Sequence, residues 1–290
     1  LQSMGNAWVR IADMALLYVL LALGLNIVVG YAGLLDLGFV AFFAVGAYMF
    51  GLLASPHLTD TFPWIAAMFP EGLHMPLWAV VPIGAGLAGL FGVLLGAPTL
   101  KLRGDYLAIV TLGFGEIIRV FMNNLDNPVN ITNGPKGLGQ IDPMTVLGHP
   151  LSRKLDVGFM QLSGVTQYYY LFLALVLFSA LICYRLQTSR IGRAWMAIRE
   201  DEIAAKAMGI NTRNLKLLAF GMGATFGGVA GVLFASFQGF VSPESFSLME
   251  SVMIVAMVVL GGLGHLPGVI MGAVLLSALP EVLRYVAGPL

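Results

Sequence analysis

The sequence predicts an all-α protein: a polytopic transmembrane helical bundle of about eight membrane segments, with a short cytoplasmic helix. Three observations predict this class. Of the 290 residues, 58% are hydrophobic and 10% are charged, whereas soluble domains carry roughly 25% charged residues. Long stretches contain no charged residue at all. The 36 glycines far exceed the usual share, and glycine is more frequent in membrane-spanning helices than in soluble ones.

Each segment is predicted from its length, since a helix needs about 20 apolar residues to cross a bilayer. Six stretches contain no Asp, Glu, Lys or Arg: Met14–Leu35, Leu37–Thr59, Gly72–Leu100, Val157–Tyr184, Leu217–Pro243 and Ser251–Pro280. A seventh, Asp105–Asn124, is apolar but contains Glu116 and Arg119. The last stretch is interrupted by the glycine-rich run Gly261–Gly268, a turn signal that divides it into two helices.

Residues 11–290 are predicted to form a single transmembrane domain. The positions of the positive charges predict how this domain is oriented in the membrane. Lys and Arg in short loops mark the cytoplasmic side. Lys101 and Arg103 lie in one such loop, and seven further Lys and Arg residues lie in 185–216. Segment alternation places both loops on the same side, so 185–216 is predicted to be cytoplasmic. The long loop 125–166 is then extracytoplasmic.

Several classes of function are excluded by the composition. The net charge is zero, which excludes a nucleic-acid binder with a clustered positive surface. No Lys follows a Gly, so the chain lacks the phosphate-binding loop of an ATPase. Cys183 is the single cysteine and the four histidines are isolated in sequence, so no metal site is predicted. We therefore expect a protein that is not an enzyme and binds no cofactor itself.

Small residues recur every four positions in two of the segments. They are Gly84, Ala88, Gly92 and Gly96 in one, and Gly223, Gly227, Gly231 and Ala235 in the other. This spacing puts them on one face of each helix, where close contact between helices drives association in lipid. The two stripes predict either packing inside the bundle or contact with a second membrane subunit.

Four charged residues lie within or beside the apolar stretches: Asp36, Glu116, Arg119 and Glu250. Charges within a membrane are costly and usually face a cavity or a partner. Glu116 and Arg119 are three residues apart and are expected to pair. Asp36 is expected either to lie in a turn between the first two segments or to cap the second. Glu250 is expected near the start of the seventh segment, where a carboxylate suits the positive helix end.

The loop 185–216 is the main polar region, since it holds ten of the 30 charged residues. Within it, Gly192–Met208 has the pattern of one amphipathic helix, which Gly209 is expected to end in a left-handed conformation. Such a helix could lie on lipid headgroups. Three consecutive acids fit an anionic surface poorly, so docking into a groove of a soluble partner is favoured.

The same region carries a family resemblance. Gly192–Gly209 resembles the coupling segment of permeases of branched-chain amino acid ABC importers, and is most similar to the LivM-type subunit. Further similar segments are Leu102–Ile117, Asn133–Gly137, Gln238–Phe246 and Val258–Gly264. ABC importers generally have Glu-Ala-Ala-x-x-x-Gly here. With Gly209 aligned, Ile203 stands in place of the motif acid, and Glu202 lies one residue earlier.

The resemblance implies a function and partners. It implies a subunit that forms the translocation path for leucine, isoleucine or valine in a bacterial inner membrane. A second related permease, two cytoplasmic ATPase subunits that bind ATP and Mg, and a periplasmic substrate-binding protein would complete the importer. Coupling to the ATPases would involve the following residues: Arg199, Glu200, Asp201, Glu202, Ala204, Ala205 and Gly209. Because LivM-type permeases usually continue at both ends, the chain is expected to be partial.

Three alternatives remain at this stage. Permeases of the same family import urea or short amides. A membrane scaffold without transport activity is the second alternative. The third is a secondary transporter driven by an ion gradient, although the charge-poor interior and the docking helix argue against it. Secondary transporters bind ions at broken helices near the bilayer midplane. Candidate residues of the translocation path are Asn26, Glu116 and Gln238.

Overall fold

The computed structural model describes residues 5–156, 158 and 161–288, and most of them are helical. The α-helices, in chain order, are α1 (Asn6–Leu25), α2 (Val40–Ala54), α3 (His57–Thr61), α4 (Pro63–Met68), α5 (Leu77–Thr99), α6 (Asp105–Asn124), α7 (Gly164–Thr188), α8 (Arg190–Glu200), α9 (Glu202–Ala207), α10 (Thr212–Gln238), α11 (Leu248–Gly261) and α12 (Leu266–Ala287). A π-helical segment, Asn26–Tyr31, continues α1, and short 3₁₀ turns lie at Gly134–Lys136 and Pro243–Phe246. The prediction of a polytopic helical bundle is confirmed.

All eight predicted segments occur as helices within the described residues. The bounds of α6 match the prediction, and Gly262 (φ 95°) separates α11 from α12, which confirms the turn between them. In the described part of the chain, five helices are long and apolar enough to cross a membrane: α1 with its π-helical extension, α5, α7, α10 and α12. Hydrogen bonds within each helix satisfy the backbone groups, as an apolar solvent requires.

The predicted boundaries of three segments are wrong. The first helix begins at Asn6 and includes Arg10 and Asp13. The predicted segment began after these charged residues, but the helix contains both, Arg10 near its start and Asp13 in its buried part. The second helix covers only Val40–Ala54. Within the predicted Val157–Tyr184, Val157 lies outside the described residues, and α7 runs from Gly164 to Thr188.

Helix α10 lies at the centre of the bundle, and its small residues allow close approach on two faces. On one face Ala224 and Gly228 lie against Gly92, Ala88 and Gly84 of α5. On the other face Gly223 lies against Gly24 of α1, and Gly231 lies against the backbone of α2. Both predicted stripes are therefore used in packing inside the chain, where backbones meet closely enough for van der Waals contact to stabilise the bundle.

Helices α2 and α11 are shorter than a full membrane span and begin next to each other inside the bundle. With 15 and 14 residues, each is about 22 Å long, less than the roughly 30 Å of bilayer hydrocarbon. The Val40 N–H donates to Ser251 Oγ (3.2 Å), and the Tyr18 hydroxyl donates to Glu250 Oε2 (2.8 Å). Glu250 lies in the first turn of α11, as expected.

Asp36 lies in the buried connection between the π-helical segment and α2. Its Oδ1 accepts from the Gly38 N–H (2.8 Å), while α2 begins only at Val40. The expected position of Asp36 in a turn between the first two segments is therefore confirmed, and the alternative that it caps α2 is wrong. The carboxylate binds a nearer backbone N–H, a common use of Asp in turns.

The cation-rich loops lie at one end of the bundle, which we call the cation-rich end. The ion pair of Arg103 Nε and Glu202 Oε2 (3.2 Å) joins the α5–α6 connection to α9, as segment alternation predicts. At the opposite end, the long loop contains two small antiparallel hairpins, β1–β2 (Thr145–Val146, His149–Pro150) and β3–β4 (Leu155–Asp156, Gln161–Leu162).

Candidate functional site

The candidate coupling segment consists of two helices, α8 and α9, which meet at Asp201. Asp201 is extended (φ −153°, ψ 110°), and its Oδ1 accepts from the N–H groups of Ile203 (2.8 Å) and Ala204 (3.1 Å). The predicted single helix Gly192–Met208 is therefore wrong. Asp is favoured as the N-cap of a helix over a position inside one. Asp201 followed by Glu202 and by Ile203–Ala205 could have indicated this cap.

The segment ends as the sequence predicts. Gly209 has φ 84° and lies outside α9, with open space around its Cα. Its left-handed conformation favours glycine and closes the C-terminus of the helix. The prediction for Gly209 is confirmed.

One side of the coupling segment is fastened to the bundle by apolar burial. Trp195 is fully buried in the core of the bundle, and Ile198 and Ala205 are also buried. The Trp195 Nε1–H donates to the carbonyl of Leu215 in α10 (2.8 Å). A buried indole needs such a partner, so this contact fixes α8 against the start of α10.

Three polar contacts complete the attachment. Arg199 Nη1 donates to the carbonyl of Gly30 (2.7 Å), within the π-helical segment that continues α1. Glu202 Oε1 accepts from Lys216 Nζ of α10 (2.6 Å), and its other oxygen forms an ion pair with Arg103. The segment thus contacts α1, α10 and the α5–α6 connection at once.

The other side of the segment faces away from the bundle. Ile203 is 69% exposed and Met208 is 84% exposed, and Glu200 and Ala204 are also exposed. The seven predicted coupling residues therefore divide by position. Arg199, Glu202 and Ala205 contact the bundle, Asp201 caps α9, and the remaining three face outwards.

The three candidates for the translocation path are not brought together. Asn26 is fully buried in the π-helical segment, and its Oδ1 accepts from the Gly264 N–H (2.9 Å). Gln238 ends α10 and accepts from Arg10 Nη2 (3.2 Å) at the opposite end of the bundle. Only Glu116, in the middle of α6, lies on an accessible face within the bundle's span.

The predicted pairing of Glu116 with Arg119 is confirmed. Glu116 Oε2 accepts from Arg119 Nη2 (2.9 Å) and Nε (3.0 Å), and both side chains are 35% exposed. Glu116 lies 11 residues after Asp105, about 16 Å along the helix. The pair therefore lies deep within the span of α6, where exposed charge is costly in lipid.

Sequence reasoning missed several polar residues of the bundle. Asp13 is fully buried, and neither carboxylate oxygen has a hydrogen-bond partner among the described residues. The contact between Tyr18 and Glu250 was also missed, since the two are far apart in sequence. Asp13 could have been found had the first segment been extended to include its charges. Among the described residues, no group of three or more His, Cys, Asp or Glu side chains could hold a metal ion.

The fold, with the attached helices α8 and α9, defines a multi-pass membrane protein of the permease class. A family model described as "Branched-chain amino acid transport system / permease component" matches residues 8–289. The chain belongs to this family of permease components.

Named relatives agree with this assignment. The chain is 44% identical over 288 residues to the high-affinity branched-chain amino acid transport system permease protein LivM of Escherichia coli K12, covering 95% of the chain and 63% of the relative. It is 26% identical to LivH of the same organism, over 90% of the chain and 79% of that protein. A probable LivM protein of Methanocaldococcus jannaschii is also 26% identical, over 93% and 80%. No solved structure matches the chain.

Proposed function

We propose that the chain is a permease subunit of an ABC importer and forms part of the translocation path for branched-chain amino acids. The main observation in support of this proposal is the geometry of the coupling segment. Its inner side is fixed to three parts of the bundle, while Ile203 and Met208 present apolar side chains outwards. An exposed helix with apolar anchors suits a groove in a soluble partner.

The remaining components follow from this proposal. Two cytoplasmic ATPase subunits would bind ATP and Mg and receive α9. A second related permease would complete the path, and a periplasmic protein would deliver substrate. The names of the relatives, which include both LivM and LivH of one organism, support this assembly. The cation-rich end would then be cytoplasmic, in a bacterial inner membrane.

Motion of the ATPases would reach the membrane helices through the fixed side of the segment. Arg199 would carry it to the π-helical end of α1, and Glu202 with Lys216 would carry it to α10. ATP binding can shift such an equilibrium only if the ATPases bind the two states of the permease with different affinity. The coupling segment is the element through which that difference would act.

Among the candidates for the path, Glu116 has the supporting geometry. A half-exposed charge pair deep in α6 needs a cavity or a partner beside it. The contact with a second permease would supply both. There the carboxylate of Glu116 and the guanidinium of Arg119 complement the ammonium and carboxylate of a free amino acid, beside apolar neighbours that suit its side chain.

Uptake in reconstituted vesicles tests the substrate and the energy source. The chain is expressed in its native host, purified with the subunits that accompany it, and supplied with labelled leucine or labelled urea. We expect leucine uptake that requires ATP and persists without an ion gradient. Uptake of urea in preference to leucine would favour the amide alternative. Uptake that needs a gradient but no ATP would favour a secondary transporter, for which the short helices α2 and α11 are the supporting feature.

The role of the coupling segment is tested by Ile203→Asp with Met208→Asp. Both side chains point away from the bundle, so the permease should fold normally and lose the apolar anchors for its partner. We expect leucine uptake and co-purification of the ATPases to fall about tenfold or more, as for the loss of interface anchors. Leu147→Asp, at a fully exposed apolar residue of the opposite end, is the matched control. Unchanged uptake and co-purification in the double variant would contradict the proposal.

The role of the charge pair is tested with the variants Glu116→Gln and Arg119→Gln. Their uptake of leucine is compared with their uptake of leucine analogues that lack one of its two charges. We expect each variant to raise the KM for leucine about tenfold or more, since a charge-assisted hydrogen bond contributes roughly 1.5–3 kcal/mol. Arg119→Gln should affect leucinamide, which lacks a carboxylate, much less than leucine. A purely structural pair would lower uptake of both substrates by the same factor.

A further inference from the structure

A cavity of about 770 Å³ opens at the cation-rich end, where the end of α5, α9 and the first turns of α10 meet. Its charged lining residues come from separate parts of the chain: Lys101, Arg103, Glu202, Lys206, Arg213 and Lys216. Ala97, Pro98 and Leu100 form its apolar side. The cavity is thus polar at one side and apolar at the other.

The charges of this cavity are strongly unbalanced. Five cations and one acid leave an excess of four positive charges. The acid, Glu202, is already paired with Lys216 and Arg103. Lys101, Lys206 and Arg213 form no ion pair with any residue that the structure describes. A concave surface lined by one sign of charge concentrates ions of the other sign, so the cavity should attract an anion.

An apolar stripe on α5 leads directly to this cavity. Leu90, Leu94 and Ala97 are exposed, and their spacing of four and three residues places them on one helix face. The opposite face of α5, with Gly92, packs on α10. Because Ala97 also lines the cavity, the stripe and the cationic surface are continuous.

We propose that this cavity binds the headgroup of an anionic phospholipid, with an acyl chain lying along the α5 stripe. A phosphodiester would be bound by Lys101, Lys206 and Arg213, and clusters of cations at the cytoplasmic membrane surface bind such headgroups. An acidic protein surface would account for the cations but not for the stripe. The positive-inside rule requires cations on this side, but not their convergence on one cavity.

The proposal also gives the lipid a regulatory position. Lys206 belongs to α9, and Glu202 of the same helix lines the cavity. A bound headgroup would therefore contact the coupling segment directly. It would hold α9 against the ends of α5 and α10.

The test measures lipid binding by the intact complex, purified with its accompanying subunits in a zwitterionic detergent. The ligands are phosphatidylglycerol, phosphatidylcholine and chain-free glycerophosphate, counted by native mass spectrometry. We compare the wild type with Lys101→Gln/Lys206→Gln/Arg213→Gln. The matched control, Arg185→Gln/Arg190→Gln/Arg193→Gln, removes three exposed cations from the same end but outside the cavity.

We expect the wild type and the control to prefer phosphatidylglycerol to phosphatidylcholine, and the cavity variant to bind it about tenfold more weakly or worse. Leu90→Ser/Leu94→Ser should weaken phosphatidylglycerol binding and leave glycerophosphate binding unchanged. Equal loss in the cavity and control variants would overturn the proposal. So would glycerophosphate binding as tightly as the lipid, which would indicate a free phosphate site. Loss of ATPase subunits from the cavity variant, with no lipid preference in the wild type, would assign the cavity to protein docking instead.

Discussion

The centre of the bundle and the coupling segment are held in place by different physical means. Around α10, small residues bring backbones together, and the contacts with α5, α1 and α2 are apolar. The coupling segment buries a few side chains, Trp195 foremost, and is otherwise held to the bundle by the polar contacts of Arg199 and Glu202. The centre is therefore fixed by many weak contacts, and the segment by a few strong ones.

This difference matters for a moving protein. Close packing over a long helix resists local change, because each displaced atom loses contacts with several neighbours. A segment attached at a few points can be displaced as a unit while those points transmit its motion. The comparison predicts that substitutions at the centre act on folding as a whole, and that substitutions in the segment act locally.

The largest effect is expected for Gly92→Leu. A Cβ at Gly92 would meet the Cβ of Ala224 and the carbonyl oxygen of Phe220, and neither can move away as a flexible side chain does. Overpacking usually costs about 1–3 kcal/mol, and more where backbone must shift. We expect little folded permease, measured as the monodisperse fraction of a fluorescent fusion in mild detergent.

Gly86→Leu is the matched control on the same helix. A Cβ at Gly86 has no neighbour within 4 Å, so the same residue change keeps the same gain in helix propensity without the clash. Its folded yield should equal that of the wild type. Equal yields for the two variants would contradict the account of α10 as a tightly packed centre.

An intermediate effect is expected at the ion pair that fastens α9. The side chain of Lys216 is 4% exposed and that of Glu202 is 21% exposed. In Glu202→Met the ammonium of Lys216 would stay buried without its carboxylate, which costs about 1–3 kcal/mol. Lys216→Met should cost less, because Glu202 keeps Arg103 and some contact with water.

The double variant Glu202→Met/Lys216→Met completes the comparison. Since replacing both partners of a buried pair is often nearly neutral, it should be more stable than Glu202→Met alone. The measurement is the free energy of unfolding in denaturing detergent for all four proteins. If the two single variants lose equal stability, the ion pair does not have the asymmetric burial that the structure gives it.

The sequence predicted the packed centre better than the attached segment, for a physical reason. Spans and small-residue stripes repeat along one helix, so Gly84 to Gly96 indicates a packing face without knowledge of its neighbour. The contacts of Arg199 with Gly30 and of Lys216 with Glu202 join residues distant in sequence, and no local pattern contains them. The wrong start of α1 has a related cause, because the burial of Asp13 depends on its neighbours in the fold. Asp201 is an exception, since its capping role is local and the amphipathic pattern concealed it.

The smallest effect is expected for Asp201→Ala, which removes the cap of α9. The side chain accepts two N–H groups of the first turn, and losing such a cap costs about 1 kcal/mol. Because Trp195 and Ile198 remain buried, global stability should change little. The amides of Ile203 and Ala204 should exchange with solvent about five times faster, as about 1 kcal/mol predicts. Asp201→Asn keeps an acceptor oxygen at the same place and should restore protection. If the amides exchange equally fast in both variants, the charge of Asp201 orders the segment and its capping geometry does not. Long-range electrostatic attraction would then have to be added to the polar contacts that hold the segment.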